Sequence, residues 1–144
     1  LLHLLTILHT PLLQMPAVLV GALLYCVALA IFWWTIAAHR LKPLAACFSQ
    51  NEQLHLVQHG PYRFVRHPFY CSYLLAWLAG ALATLNIGLG LTFIVMFLIY
   101  LIAARNEEIK FASSPLAEAY AQYRSATGRF LPSPFKLIAN RHAR

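Results

Sequence analysis

The chain has 144 residues, 60% of them apolar and only 10% charged, with a mean hydropathy of +0.63. A water-soluble domain carries about a quarter charged residues, so this composition excludes an ordinary soluble globule and makes the bilayer the solvent. The formal net charge is +7, from 11 Lys and Arg against 4 Asp and Glu. No basic groove with interleaved aromatics accompanies it, which excludes nucleic acid as the partner and leaves anionic headgroups and the positive-inside rule. Cys26, Cys47 and Cys71 form no C-x-x-C pair, so the sequence supports neither a disulfide framework nor a zinc cluster.

Residues 1 to 39 and 67 to 104 contain no Lys, Arg, Asp or Glu. All charge therefore falls in two blocks, 40 to 66 and 105 to 144, the pattern of membrane spans separated by water-facing segments. Residues 1 to 14 are apolar but reach only about 21 Å as a helix, short for a hydrocarbon core of about 30 Å. Residues 17 to 38 are expected to span the membrane, ending at Phe32-Trp33-Trp34 and then His39-Arg40, which places that end on the cytoplasmic side. The uncharged run 68 to 104 is nearly twice the length of a span and has to fold back on itself. Asn86-Ile87-Gly88-Leu89-Gly90 supplies the turn, giving an expected hairpin of 69 to 85 and 91 to 104.

Beyond Arg105 the pattern becomes amphipathic. Ser114-Pro115 reads as a helix start, Leu116, Tyr120 and Tyr123 recur at helical spacing, and Gly128 reads as the stop. The expected fold is an all-α integral membrane protein with three to five transmembrane helices, including a short helical hairpin, and a cytoplasmic amphipathic C-terminal helix. It forms one domain over 1–144: spans to 38, a cytoplasmic loop over 39–68, the hairpin over 69–104 and a tail over 105–144. Both charged blocks lie on the cytoplasmic side, so function is expected where they meet.

Two constellations carry candidate chemistry. Residues 54 to 73 concentrate two prolines, three histidines, two arginines and three tyrosines just before a span, and Gly60-Pro61 and His67-Pro68 stiffen the backbone. A rigid loop of this kind holds groups around a ligand; the competing reading has Arg63 and Arg66 on lipid phosphates and the tyrosines in an interfacial belt. The second is Arg105-Asn106-Glu107-Glu108, where the hairpin leaves the membrane. Carboxylates suit a ribose diol or an amino group, and Arg is a fork-shaped donor to an anion; the competing reading is a solvated helix start with ordinary ion pairs. On a regular helix Arg105 and Glu108 share a face. His55 and His59 are four apart, but Gly60-Pro61 follows at once and no further ligand completes a metal set.

Gly60-Pro61-Tyr62, Arg66-His67-Pro68-x-Tyr70, the hairpin, Glu107-Glu108, Tyr120-x-x-Tyr123 and Arg129-x-x-Pro132 occur in this order, and as an ordered set they resemble the isoprenylcysteine carboxyl methyltransferase and phospholipid methyltransferase superfamily. The resemblance covers about residues 50 to 132. It implies S-adenosylmethionine as cofactor, with Gln50, Leu54, His55, Leu56, Val57, Tyr62, His67, Pro68, Phe69, Tyr70 and Glu107 binding it. The implied catalytic set is Arg105 for the acceptor's anionic group, with His67 or Glu108 as proton acceptor if the acceptor is an amine. Three positions depart from the pattern: Ser72 replaces a customary Gly, Leu116-Ala117 a customary Phe-Gly, and Ala103 stands where the substrate Arg is usual.

The implied activity is methyl transfer to a lipophilic acceptor, an isoprenylcysteine-like carboxylate or a lipid amine. The expected setting is an integral membrane protein of a bacterial inner membrane, its cofactor site facing the cytoplasm, with lipid as partner and neither metal nor nucleic acid. A sterol-type reductase using NADPH and a non-catalytic membrane protein of the same fold are the alternatives. Adjacent Glu107 and Glu108 suit a 2′-phosphate poorly.

Overall fold

The structure, a computed structural model, describes residues 15–40 and 56–132. The order of elements is α1 (Met15–Arg40), a 3-10 turn (Gly60–Arg63), α2 (Pro68–Thr84), α3 (Ile87–Ala112) and α4 (Ala117–Ala126). Among the described residues the fold is all helix, with one isolated parallel bridge between Val65 and Gly128. Met15–His39 and Ile87–Ala112 are long and apolar enough to cross a membrane, and Pro68–Thr84 is a shorter apolar helix. Each large apolar face that a soluble protein would bury is open here: Leu19, Leu23 and Leu29 on α1 and Leu91, Ile94, Val95 and Leu98 on α3 are all exposed, as lipid-facing side chains are.

The chain divides into two compact units. Of the described residues, the first comprises Met15 to Phe32 and Phe69–Leu101. Its core is built from small residues, Ala28, Ala79 and Ala83 among them, because without a hydrophobic drive inside lipid, close backbone approach is what holds helices together. Gly21 is the closest point: a Cβ there would lie 2.5 Å from the Ala83 Cβ and 2.8 Å from the Ala79 carbonyl oxygen. Phe32, Phe69 and Tyr73 gather beside this seam, and Tyr70 and Tyr100 stack with ring centroids 5.2 Å apart. Buried hydroxyls return to their own helix, Ser72 donating to the Phe69 carbonyl and Thr84 to that of Gly80.

The hairpin forms, but its turn is tighter than the sequence predicts. Only Leu85 and Asn86 lie between α2 and α3, Leu85 taking the left-handed conformation at φ 50°. Asn86 caps α3 by accepting from the Leu89 amide at 3.3 Å. Gly88 and Gly90 are therefore helical rather than turn residues, and Gly88 leaves room for the cap, since a Cβ there would stand 3.0 Å from the Asn86 Oδ1. The second leg is accordingly not short. It runs 26 residues, about 39 Å at 1.5 Å per residue. Its uncharged part, 87–104, is about 27 Å and is the membrane-spanning portion; the last turns, from Arg105, project beyond it.

The described residues between Trp33 and Pro68 and from Ile102 to Pro132 make up the second unit, in which the described parts of the two charged blocks meet. α4 begins at Ala117, later than Ser114-Pro115 predicts, because those residues form a lead-in turn in which Ser114 Oγ accepts from the Leu116 amide at 3.1 Å. Gly128 is not a left-handed stop. Thr127 ends α4 in an extended conformation, and Gly128 pairs with Val65.

Candidate functional site

The site is built on the pairing of loop and tail. Arg66 N donates to the Gly128 carbonyl at 2.8 Å, His67 N to that of Arg129 at 3.2 Å, and Gly128 N to that of Phe64 at 3.4 Å. These bonds fix the backbone on which Arg66 and His67 stand, and the buried Pro68 that follows starts α2.

Above this ladder stands the buried acid Glu108. Arg129 grips it with a fork, Nε to Oε1 at 2.9 Å and Nη2 to Oε2 at 2.7 Å, and Arg66 Nε donates to Oε1 at 3.1 Å. The other end of Arg66 donates to the Thr127 carbonyl. Burial alone would raise the Glu108 carboxyl, but the hydrogen bonds and charges of Arg129 and Arg66 outweigh it and hold it at about 2. The same hydrogen bonds raise Arg129. Arg66 is thus an internal partner of Glu108 rather than a ligand of lipid phosphate, its side chain only 9% exposed.

His67 lies between the two acids. Its Nδ1 is 3.3 Å from Glu107 Oε2, its Nε2 3.3 Å from Glu108 Oε1, and Phe130 meets its ring edge to face. Both nitrogens face carboxylates, and Glu108 is held fully ionised by its arginines. The arginines and His67 thus take up the Glu108 carboxylate, and the two acids take up the His67 ring nitrogens. The expected partnership of Arg105 with Glu108 fails. Arg105 is exposed on the same face as the exposed Ile102 and Ile109, while Arg66 and Arg129 occupy Glu108.

The Gly60–Arg63 turn is docked on the end of α1. Gly60 needs its φ of 60°, and a Cβ there would stand 2.9 Å from that of Ala38. His59 Nε2 lies 2.8 Å from the Ala38 carbonyl oxygen, so this histidine helps to dock the turn. Tyr62 is held at both ends: its hydroxyl is 2.8 Å from His39 Nε2, and its carbonyl accepts from the buried Tyr123 hydroxyl at 2.8 Å. Burial pushes the Tyr123 hydroxyl up, keeping it a donor.

Of the residues expected to bind cofactor, Tyr62, His67, Pro68 and Glu107 lie in the second unit with Leu56 and Val57, which are half-buried in the approach to the turn. Phe69 and Tyr70 belong to the aromatic group of the first unit. Gln50, Leu54 and His55 lie outside the described residues. Sequence reading missed the roles of Arg129, Arg66, Tyr123 and His39. The ordered motifs contained the first three, but nothing in their spacing shows which side chain each one meets.

No curated protein and no solved structure matches the chain. A family model described as phospholipid methyltransferase matches residues 16–121, from the start of α1 into α4. That stretch covers well over half of the 144 residues and includes both long apolar helices, the Gly60–Arg63 turn and the paired acids. The chain belongs to the phospholipid methyltransferase family.

Proposed function

We propose that the protein transfers a methyl group from S-adenosylmethionine to a lipophilic acceptor at the membrane interface. The observation that carries this reading is the gathering of Tyr62, His67 and Glu107 in one unit, on a backbone fixed by the pairing of residues 65–67 with 128–129. The chemistry of these residues suits the cofactor. Glu107 is a half-exposed carboxylate, 47% exposed, able to accept from a ribose diol or an amino group. Tyr62, in the same unit, offers an aromatic face that attracts a cation. When bound, S-adenosylmethionine supplies an electrophilic methyl on a sulfonium.

The chain's own contribution is alignment and exclusion of water rather than proton transfer. Pro68 is buried and His67 nearly so, while Glu107 keeps access to solvent. Arg105, exposed at the end of the uncharged stretch of α3, binds the acceptor's anionic group as a planar fork. The first unit carries an apolar recess of about 220 Å³, lined by Leu29, Phe32 and Tyr73 among others. The acceptor is an isoprenylcysteine-like carboxylate or a lipid amine, the latter arriving unprotonated. The second unit faces the cytoplasm, of a bacterial inner membrane in this reading, because all the Lys and Arg lie in the two charged blocks.

Calorimetric titration of the protein in lipid nanodiscs with S-adenosylmethionine, S-adenosylhomocysteine and NADPH tests the proposal. Binding of the first two is expected. Binding of NADPH alone would make the protein a reductase, and binding of none would leave a non-catalytic membrane protein.

A further inference from the structure

Resting on the cofactor reading above, we propose that His67 is a positioning residue that sets the carboxylate of Glu107, using Glu108 and its two arginines as a fixed post. Glu107 and Glu108 are neighbours in sequence with opposite surroundings. Glu108 is 6% exposed in its side chain and held by three donor atoms of Arg66 and Arg129, whereas Glu107 is 47% exposed. A half-exposed glutamate on a helix has rotamers to choose from, and holding one of them for a ligand requires a partner that does not itself move.

His67 is such a partner. Its amide is tied to the Arg129 carbonyl, and the next residue is a buried proline. The ring is 9% exposed, backed by Phe130, with Nε2 against Glu108 Oε1 and Nδ1 against Glu107 Oε2, each at 3.3 Å. Arg129 is thereby coupled to Glu107 through Glu108 and His67. The two acids divide the labour: Glu108 anchors and Glu107 binds.

The two ring nitrogens can be tested separately. An Asn side chain places its amide nitrogen near the position of Nδ1, and a Gln side chain near that of Nε2. His67→Asn preserves the contact with Glu107, whereas His67→Gln preserves only the contact with Glu108 and is expected to bind S-adenosylhomocysteine about tenfold more weakly than His67→Asn, a difference of about 1.4 kcal/mol. In the Glu107→Gln background the further loss from His67→Gln is expected to vanish, the signature of coupled residues. Equal loss in both His67 variants, equal retention, or retention by Gln alone would overturn the proposal, as would additive losses in the double variant.

A second measurement does not depend on the His67 variants folding. In protein labelled with ¹⁵N-histidine, Glu107→Gln is expected to shift the Nδ1 resonance of His67 and leave Nε2 nearly in place; unchanged resonances would overturn the proposal. If Glu107→Gln shifts the resonance as expected yet wild type binds no S-adenosylhomocysteine, the cofactor reading itself falls and the positioning role with it.

Discussion

Glu108 shows how a single carboxylate can hold an interior together when its neighbours supply the donors. Its partners lie 42 residues before it and 21 after, so no local pattern in the chain announces them. The sequence marks Glu107 and Glu108 as a candidate pair; it does not show which of them is buried, because on a helix adjacent residues point about 100° apart and the neighbouring elements decide. With its carboxyl lowered from 4.5 to about 2, Glu108 adds stability that is fully present above the unfolded value and fades as pH falls through that interval. Glu108→Gln should therefore cost about 2 to 3 kcal/mol at pH 7, and the gap from wild type should narrow below pH 4.5, as read by denaturant unfolding in detergent. Arg105 has the opposite surroundings, exposed with Ile102 and Ile109 on its face. Arg105→Lys keeps the charge but loses the fork, so the KM for acceptor should rise severalfold while S-adenosylmethionine affinity stays within about twofold. Full activity in steady-state assays would reduce Arg105 to a headgroup anchor.

At the scale of elements, charge distribution alone located the spans and showed that the uncharged run has to double back. Glycine has two meanings in such a chain. Its preference for turns points to Gly88 and Gly90 as turn residues, but glycine also serves where a helix needs space, and Gly88 makes room for the Asn86 cap. Leu85, a residue no turn rule nominates, takes the left-handed position instead. The difference in use predicts a difference in tolerance. Gly21→Ala puts a methyl 2.5 Å from the Ala83 Cβ and should destabilise by about 1 to 3 kcal/mol. Gly90 has nothing within 4 Å of the same position, and Gly90→Ala should stabilise by about 0.5 to 1 kcal/mol through helix propensity. Thermal melts of the two variants in one detergent would compare them directly; equal responses would mean that Gly21 does not mark a tight seam.

For the molecule as a whole, the pairing of Val65 with Gly128 joins an early part of the chain to a late one. During synthesis Arg66 and His67 emerge long before Gly128 and Arg129, and α2 and α3 are delivered to the bilayer in the interval. Membrane insertion and site assembly are thus separate events in time, the second waiting for the last part of the tail. A chain ending at Ala126 should integrate as the full chain does, judged by labelling of cysteines placed at Asn86 and Ser113 on opposite faces of the membrane, yet fail to bind S-adenosylhomocysteine. Until the tail arrives, Glu108 waits at the bilayer edge without Arg129, and Arg66 alone must keep it ionised there. The nascent protein therefore passes through a stage in which it is inserted but still carries an underpaired acid at the membrane margin, a stage that the residues after α4, through Arg129, bring to an end.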